Sequence, residues 1–356
     1  MDTFDIKELL KKSGEWLKGT GPSNDIVISS RIRLARNIAG YKFAAFLNKQ
    51  ETKEMVDKII AATKKSNYLK ADKVVLLESL DVLGRQLLLE RHLISREHAE
   101  AKGIRALSFS EDEIVSIMIN EEDHLRIQVL QSGFNLMETW RMIDKVDSEL
   151  EASLPFAFHQ HLGYLTACPT NVGTGLRASC MLHLPSLVMT KQINKVLQAI
   201  GKLNLAVRGL YGEGTQASGN FFQFSNQTTL GKNEEKIIDD LEKVIKQIIE
   251  HEREARIALQ SKKRDKLYDQ IWRAVGILKC AHLMTSQETT SLLSMVRLGV
   301  DLNIIKDLDR QKLNELFIVT QPAHLQLLAG KTISPKERDI RRAQIIRQYL
   351  KTINML

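Results

Sequence analysis

The sequence predicts an α+β fold in two parts: a mostly antiparallel sheet flanked by helices over residues 1–230, then an all-helical domain over residues 231–356. Three observations carry this prediction. Up to about residue 230, short apolar and β-branched runs are interspersed with helical stretches but do not alternate with them one for one. Several strand candidates are also neighbours in sequence; Ile114–Ile119 and Leu125–Leu130 are separated only by Asn120–His124, short enough for a hairpin. After residue 230 the apolar spacing changes to a helical period. A chain of 356 residues suits two domains at about 150 residues each.

In chain order, Ile26–Ile28, Val74–Leu77, Ile114–Ile119, Leu125–Leu130, Leu203–Val207 and Phe221–Phe224 read as strands. Asn135–Glu151 and Lys191–Ile200 read as helices. From Asn233 to Gln260, apolar residues recur at Ile237, Ile238, Leu241, Val244, Ile245, Ile248 and Ile249, which is one face of a helix. Leu267–Cys280, Gln287–Leu298, Leu313–Thr320 and Arg338–Leu350 continue the pattern between short polar or Gly/Pro breaks.

Composition narrows the function classes. With 43% hydrophobic and 26% charged residues, and only 6 Pro, a disordered or fibrous chain is excluded. The three cysteines, Cys168, Cys180 and Cys280, show no CxxC spacing, which argues against a disulfide framework or a cysteine zinc site and suits a reducing cytoplasm. Residues 1–12 lack an apolar signal-peptide core, and no run of 18 apolar residues suggests a membrane span. The net charge of +8 invites either a nucleic-acid or a phosphate-handling reading.

Four segments carry chemistry. In Ser29-Ser30-Arg31-Ile32-Arg33, a strand would point Arg31 and Arg33 to one face, where an anion between them would relieve their repulsion; two solvated edge arginines are the plain alternative. In Asn120-Glu121-Glu122-Asp123-His124-Leu125-Arg126, three consecutive carboxylates need cations: a divalent metal, or a cationic substrate with one carboxylate as base, unless the turn is simply solvated. Cys168-Pro169-Thr170-Asn171-Val172-Gly173-Thr174-Gly175, leading into Arg177, could offer backbone donors to an anion, and Cys168 reads as either a reactive thiol or a small buried residue. Arg208-Gly209-Leu210-Tyr211-Gly212-Glu213-Gly214 adds an Arg, a carboxylate and a glycine-rich loop that is otherwise an ordinary connection. No Walker loop is present; Gly330-Lys331-Thr332 has Leu325 where the first glycine belongs. If Arg31, Arg33, Arg126, Arg177 and Arg208 converge, they match roughly the charge of a nucleoside triphosphate, with Glu121, Glu122 and Glu213 facing a cationic acceptor.

Taken together, SSRIR, NEEDHLR, CPTN with its following RAS, and RGxxGE resemble the ATP:guanidino phosphotransferases, the phosphagen kinase family. The narrower resemblance is to the bacterial protein-arginine kinases of that family, through CPTNVGTGLRASCMLHLP, RGLYGEG and the helical C-terminal part. Metabolite kinases carry a helical domain before SxRxR, whereas here 28 residues precede Ser29, which favours the narrower resemblance.

The resemblance implies transfer of the γ-phosphoryl group of ATP to protein arginine, with Mg²⁺ riding mainly on the phosphates and no protein metal ligands. ATP would be bound by Ser29, Ser30, Arg31, Ile32, Arg33, His92, Arg126, Arg177, Ala178, Ser179, Cys180, Met181 and Arg208, Gly209, Leu210, Tyr211, Gly212, Glu213. Metabolite kinases commonly have a His shortly after RAS, near the adenine; Cys180 and Met181 stand there in this sequence, so the resemblance leaves the adenine contact open but not the phosphate cage. For His92 the plain alternative is a helix-surface side chain. Glu122 would be the base, assisted by Glu121 and Glu213, with Cys168 against the guanidinium as a thiolate. Arg338-Asp339-Ile340-Arg341-Arg342-Ala343 resembles the RDxxRA motif of the protein-arginine kinases; it implies an allosteric phosphoarginine site at Arg338, Asp339, Arg342 and Ala343, against a solvated basic helix as the plain reading.

The resemblance further implies marking of proteins for Clp-type proteolysis in the stress response, with the activator McsA and the repressor CtsR as partners. It implies neither direct nucleic-acid binding nor a membrane, and the sequence leaves a homodimer open. The rivals are a kinase for free arginine or another guanidino metabolite, and a basic nucleic-acid-binding module, for which no interleaved aromatic pattern is found. Charge distribution weighs against the last. Residues 1–230 hold 28 basic and 26 acidic residues, whereas residues 331–356 alone hold 7 and 2, so the basic excess marks the tail around Arg338–Arg342.

Overall fold

A computed structural model of the chain describes residues 5–69, 73–209 and 218–353. Ten strands are found among them: β1 (Val27–Arg36), β2 (Lys73–Leu76), β3 (Ala106–Phe109), β4 (Val115–Ile119), β5 (Leu125–Ser132), β6 (Phe158–His159), β7 (Gly163–Tyr164), β8 (Leu176–His183), β9 (Leu205–Gly209) and β10 (Phe221–Asn226). All but the small β6–β7 hairpin join one sheet, in the order β2-β3-β4-β5-β1-β8-β10-β9. Every neighbouring pair is antiparallel, and short links join β3 to β4 and β4 to β5.

The helices are α1 (Lys49–Thr63), α2 (Val82–Glu90), α3 (Arg96–Glu100), α4 (Leu136–Glu151), α5 (Pro185–Met189), α6 (Ile193–Gly201), α7 (Glu234–Lys262), α8 (Arg264–Cys280), α9 (Ser286–Asp301), α10 (Arg310–Val319), α11 (Pro322–Ala329) and α12 (Pro335–Tyr349). None of the described helices is long and apolar enough to cross a membrane.

The strand period of two splits the sheet into unlike faces. On one face Ile32, Leu34, Ile127, Val129, Ala178, Cys180, Leu182, Phe222 and Phe224 are buried in the main core with α4 and α7. The helix α7 therefore belongs to the same core as the sheet: Ile238, Leu241 and Ile245 are fully buried there. The opposite face carries Arg31, Arg33, Arg126, Arg177 and Arg208. At its apolar end, Ile28, Leu130 and Phe221 pack with Trp16 and the helices α8–α10 and α12 in a second core.

Several elements were not expected from the sequence: β3, β8, α1, α2, α3, α5, α11 and the β6–β7 hairpin. Arg31 and Arg33 share one face of a strand, as expected, and that strand runs ten residues, well past Ile26–Ile28. The glycines of the Val172–Gly175 stretch serve packing and not an anion: a Cβ on Gly173, which has φ +112, would lie 2.3 Å from the Thr229 carbonyl. The donors of that stretch are also committed within the protein. Thr174 N–H donates to Thr229 O at 3.0 Å, Asn171 N–H to Cys168 O at 3.0 Å, and Leu176 N–H to the Thr174 hydroxyl at 3.2 Å.

Candidate active site

The register aligns the arginines. Arg33 sits opposite Arg177 on β8, Arg31 opposite Ser179, Ala35 opposite Arg126 on β5, and Gln223 on β10 opposite Arg208 on β9. Arg33, Arg126, Arg177 and Arg208 thus line one cleft, together with Glu121, Glu122 and Cys168. Arg31 stands one step further along β1 and donates to Gln223 Oε1 at 3.1 Å. Arg177 donates to the Asn226 carbonyl at 3.0 Å. The buried Nε–H of Arg33 has no hydrogen-bond partner.

Electrostatics agree with the register. Burial, and then the charges of Arg126 and Arg208, bring Arg31 down to about 10. Burial likewise pushes Arg33 well below the usual guanidinium range, helped by Arg126, Arg31 and Arg177. Arg177 is lowered by burial and by Arg208 and Arg126. Like charges held together out of water await an anion, which would restore their ordinary acidity.

The carboxylates stand at the opposite wall, on the β4–β5 hairpin. Glu121 is buried; burial would raise its acid form, but Arg126 and the hydroxyl of Ser95 hold it below the usual carboxylate range. Arg126 Nη1 donates to both its oxygens, at 2.8 and 2.7 Å, and Ser95 Oγ also donates to it. Glu122 is exposed to the cleft, and burial of its surroundings together with Asp123 and Glu121 raises its acid form. The neighbouring carboxylates thus differ: one is committed to a cation, the other is free to take a proton.

Asp123 and His124 serve the scaffold. Asp123 accepts from Asn37 Nδ2 and from Ala167 N–H, both at 2.6 Å, which ties the hairpin to the loop leading into Cys168. His124 Nδ1 accepts from Ile38 N–H at 3.0 Å and its Nε2–H donates to Lys42 O at 2.9 Å, leaving no free nitrogen. Among the described residues, no three His, Cys, Asp or Glu side chains gather as a metal site. Cys168 is half-buried at the start of the turn Pro169–Asn171, with its Sγ 3.0 Å from Thr170 Oγ1.

At the other end of the arginine row lies an apolar slot lined by Trp16, Ile28, His92, Leu130, Met181 and Phe221, and also by Ser29, Ser179, Phe317 and Ile318. His92 is no helix-surface residue: it follows α2 with φ 60, and its ring stands edge-on to Trp16 at 5.1 Å. Burial, and then Arg31, lower it to about 4, so it is neutral. The slot thus offers aromatic and apolar side chains next to the arginine row.

The sheet divides the predicted set. The side chains of Ser30, Ile32, Ala178 and Cys180 point into the core on the far face, so the cleft-facing side chains of these segments are the alternate ones. Ser30 Oγ donates to Gly133 O at 2.8 Å and accepts from Asn135 N–H at 2.9 Å. Leu210, Tyr211, Gly212 and Glu213 lie outside the described residues; Arg208 and Gly209 end β9. On α12, Arg342 is buried. It donates to Thr320 O at 2.9 Å and Met284 O at 2.7 Å and pairs with Asp339, and Ala343 is in the helical core. Arg342 was expected to be open to a ligand; instead it clamps three elements together, while Arg338 and Asp339 remain half-exposed.

Sequence reasoning missed Trp16, Phe221, Phe317, Ser95 and Arg105. Arg105 donates to the carbonyls of Asn120 at 2.6 Å and Glu121 at 3.3 Å and fixes the carboxylate hairpin. These residues carry no local motif; only the fold brings them to the cleft.

Residues 52–255 match the family described as ATP:guanido phosphotransferase, C-terminal catalytic domain, and residues 264–356 match the protein-arginine kinase McsB C-terminal domain. The chain is 49% identical over 344 residues to a protein-arginine kinase of Moorella thermoacetica, covering 96% of this chain and 98% of that protein. It is 48% identical over 347 residues to a protein-arginine kinase of Symbiobacterium thermophilum, with the same coverage of 96% and 98%. Among solved structures it is similar in fold to a lombricine kinase, with a TM-score of 0.59 at 24% identity over 72% of this chain and 77% of that one.

Proposed function

The chain belongs to the ATP:guanido phosphotransferase family, and from that premise we propose that it transfers the γ-phosphoryl group of ATP to arginine side chains of proteins. One observation carries the reading: a row of arginines faces a carboxylate pair of split character across a single cleft. The arginines suit a polyphosphate, and the carboxylates suit a guanidinium.

The apolar slot takes the base, among Trp16, His92, Met181 and Phe221. Arg33, Arg126, Arg177 and Arg208 take the phosphates. Mg²⁺ belongs with the phosphates, since a guanidinium cage offers cations and not metal ligands. The incoming guanidinium is protonated and a weak nucleophile. Glu122 accepts a proton from the attacking nitrogen, the new N–P bond forms, and the bond from the γ-phosphorus to the bridging oxygen breaks, leaving ADP. The arginine row neutralises charge on the transferring group. Glu121, fixed by Arg126 and Ser95, orients the guanidinium alongside Glu122, and Cys168 lines the same wall.

The phosphoarginine-sensing reading of α12 keeps Arg338 and Asp339 as the ligand groups and assigns Arg342 to the scaffold. McsA, CtsR and the Clp protease as partners, with a cytoplasmic stress-response role, rest on resemblance to the protein-arginine kinases, and co-purification from cells carrying them is their test.

The activity is tested with ATP, Mg²⁺ and either a protein substrate or free arginine. Protein-bound phosphate that is lost in acid and survives in alkali is the expected product, because a phosphoramidate hydrolyses in acid. Acid-stable phosphate, or transfer to free arginine alone, contradicts the reading.

A further inference from the structure

The catalytic cleft does not end at its carboxylates. Arg105, Glu121 and Glu122 also border a second, open groove, lined further by Phe43, Ala44, Phe46, Leu47, Ile104 and Ala167. The carboxylate pair is thus a junction, with the arginine cage on one side and a groove of mixed apolar and charged lining on the other. Phe46 is 71% exposed at this groove, an unusual setting for a large aromatic side chain on a short turn, Ala44–Phe46.

The groove is built to keep register with the carboxylates. His124, in the same hairpin, holds the approach to the Phe43–Leu47 segment through Ile38 N–H and Lys42 O. Asp123 holds Ala167 on the Cys168 side. Asn37 joins the two, donating to Asp123 and accepting from His124 N–H at 3.0 Å. The buried half of the acidic motif therefore fixes the groove lining to the residues that meet the guanidinium. The charges around the groove are mixed, Glu78, Glu121 and Glu122 against Lys49, Lys102 and Arg105, so its selectivity lies in shape and apolar contact.

We propose that this groove binds the polypeptide flanking the target arginine, with an apolar neighbour of that arginine seated on Phe46. The proposal rests on the protein-arginine kinase reading and deepens it: the acceptor is recognised as a segment of chain, and an apolar flank is preferred. Continuity with the catalytic cleft names the occupant, since whatever presents its guanidinium between Glu121 and Glu122 must run on into the adjoining space.

Three acceptors test this: a peptide with one arginine between leucines, the same peptide with glycine and serine flanks, and N-acetyl-arginine amide. The wild type should prefer the leucine peptide. Phe46→Ser should reduce that preference about fivefold through KM, as expected for losing part of a phenylalanine contact. Phe46→Leu should retain most of it, and turnover of N-acetyl-arginine amide should be equal in all three proteins. An unchanged flank preference in Phe46→Ser, or an equal loss on the blocked amino acid, overturns the groove. So does a changed elution volume of Phe46→Ser with flank preference intact, which would make Phe46 a subunit contact. No transfer by the wild type to any acceptor sinks the kinase reading and the groove with it.

Discussion

Two groups of arginines inside this protein behave in opposite ways. Arg36, Arg91, Arg256 and Arg297 are buried, and each has a carboxylate: Asp147, Glu113, Glu252 with Asp25, and Asp301. Arg36 is the clearest, with Asp147 at 2.8 Å, two backbone carbonyls within 3.0 Å and the ring of Tyr164 stacked 3.5 Å away. In the cleft, Arg31, Arg33 and Arg177 face one another, and among the described residues none is within ion-pair distance of a carboxylate. A buried arginine with its counter-ion is scaffold; a row of arginines without one is what the proposed phosphate site requires. Arg126 stands between the groups, since it belongs to the row yet anchors Glu121.

The largest effect that could break this division is at the carboxylate wall. Glu122→Gln should lower kcat by about 10²–10⁴-fold while ATP still binds; equilibrium binding of ATP to the variant checks it, and lost binding would place Glu122 in the nucleotide site. Because its acid form is raised, activity should fall on the acid side at a higher pH than an ordinary carboxylate would give.

On the scaffold side, Arg36→Ala strands Asp147 in the core and should cost about 3–5 kcal/mol of stability in denaturant unfolding. Arg342→Ala should cost less, roughly 1.5–3 kcal/mol, by leaving the carbonyls of Thr320 and Met284 without their charged donor. A fully stable Arg342→Ala protein would return that residue to a ligand-binding role.

The smallest effect concerns His92. The folded chain takes its proton only near 4, the unfolded chain near 6.5. The unfolded state therefore binds more protons between these values, so stability is complete above 6.5 and falls as the pH drops towards 4. His92→Gln should flatten that slope in part, because burial also lowers His98, to about 4, and His124, His183 and His324, and these keep the rest.

The same contrast explains what could be read from the sequence. The arginines, the acidic turn and the cysteine loop are compact motifs, and the antiparallel sheet follows from short links between strands. The alternation of faces was equally legible, because Arg31 and Arg33 sharing one face already sends Ile32 to the other. The helix α1 had its own signal, a reciprocal Asn48–Glu51 cap. By contrast β8 reads like a loop extension, since Arg177-Ala178-Ser179-Cys180 has small and polar residues where strands usually show β-branched ones. The apolar slot was hidden because Trp16, His92, Met181, Phe221 and Phe317 are scattered over the chain. The burial of Arg342 was hidden as well, because its partners are backbone carbonyls, which no sequence pattern displays.

The most direct test of the division is thermal unfolding of the wild type, Arg33→Ala, Arg177→Ala and Arg36→Ala, each with and without ATP and Mg²⁺. Saturating ATP at about 100 Kd should stabilise the wild type by roughly 2.7 kcal/mol. Without nucleotide, Arg33→Ala and Arg177→Ala should be at least as stable as the wild type, because like-charge repulsion is removed, and they should lose most of the rise with ATP. Arg36→Ala should unfold early but keep its response to ATP. Cleft variants that unfold as early as Arg36→Ala, or that keep the full rise with ATP, would contradict the account.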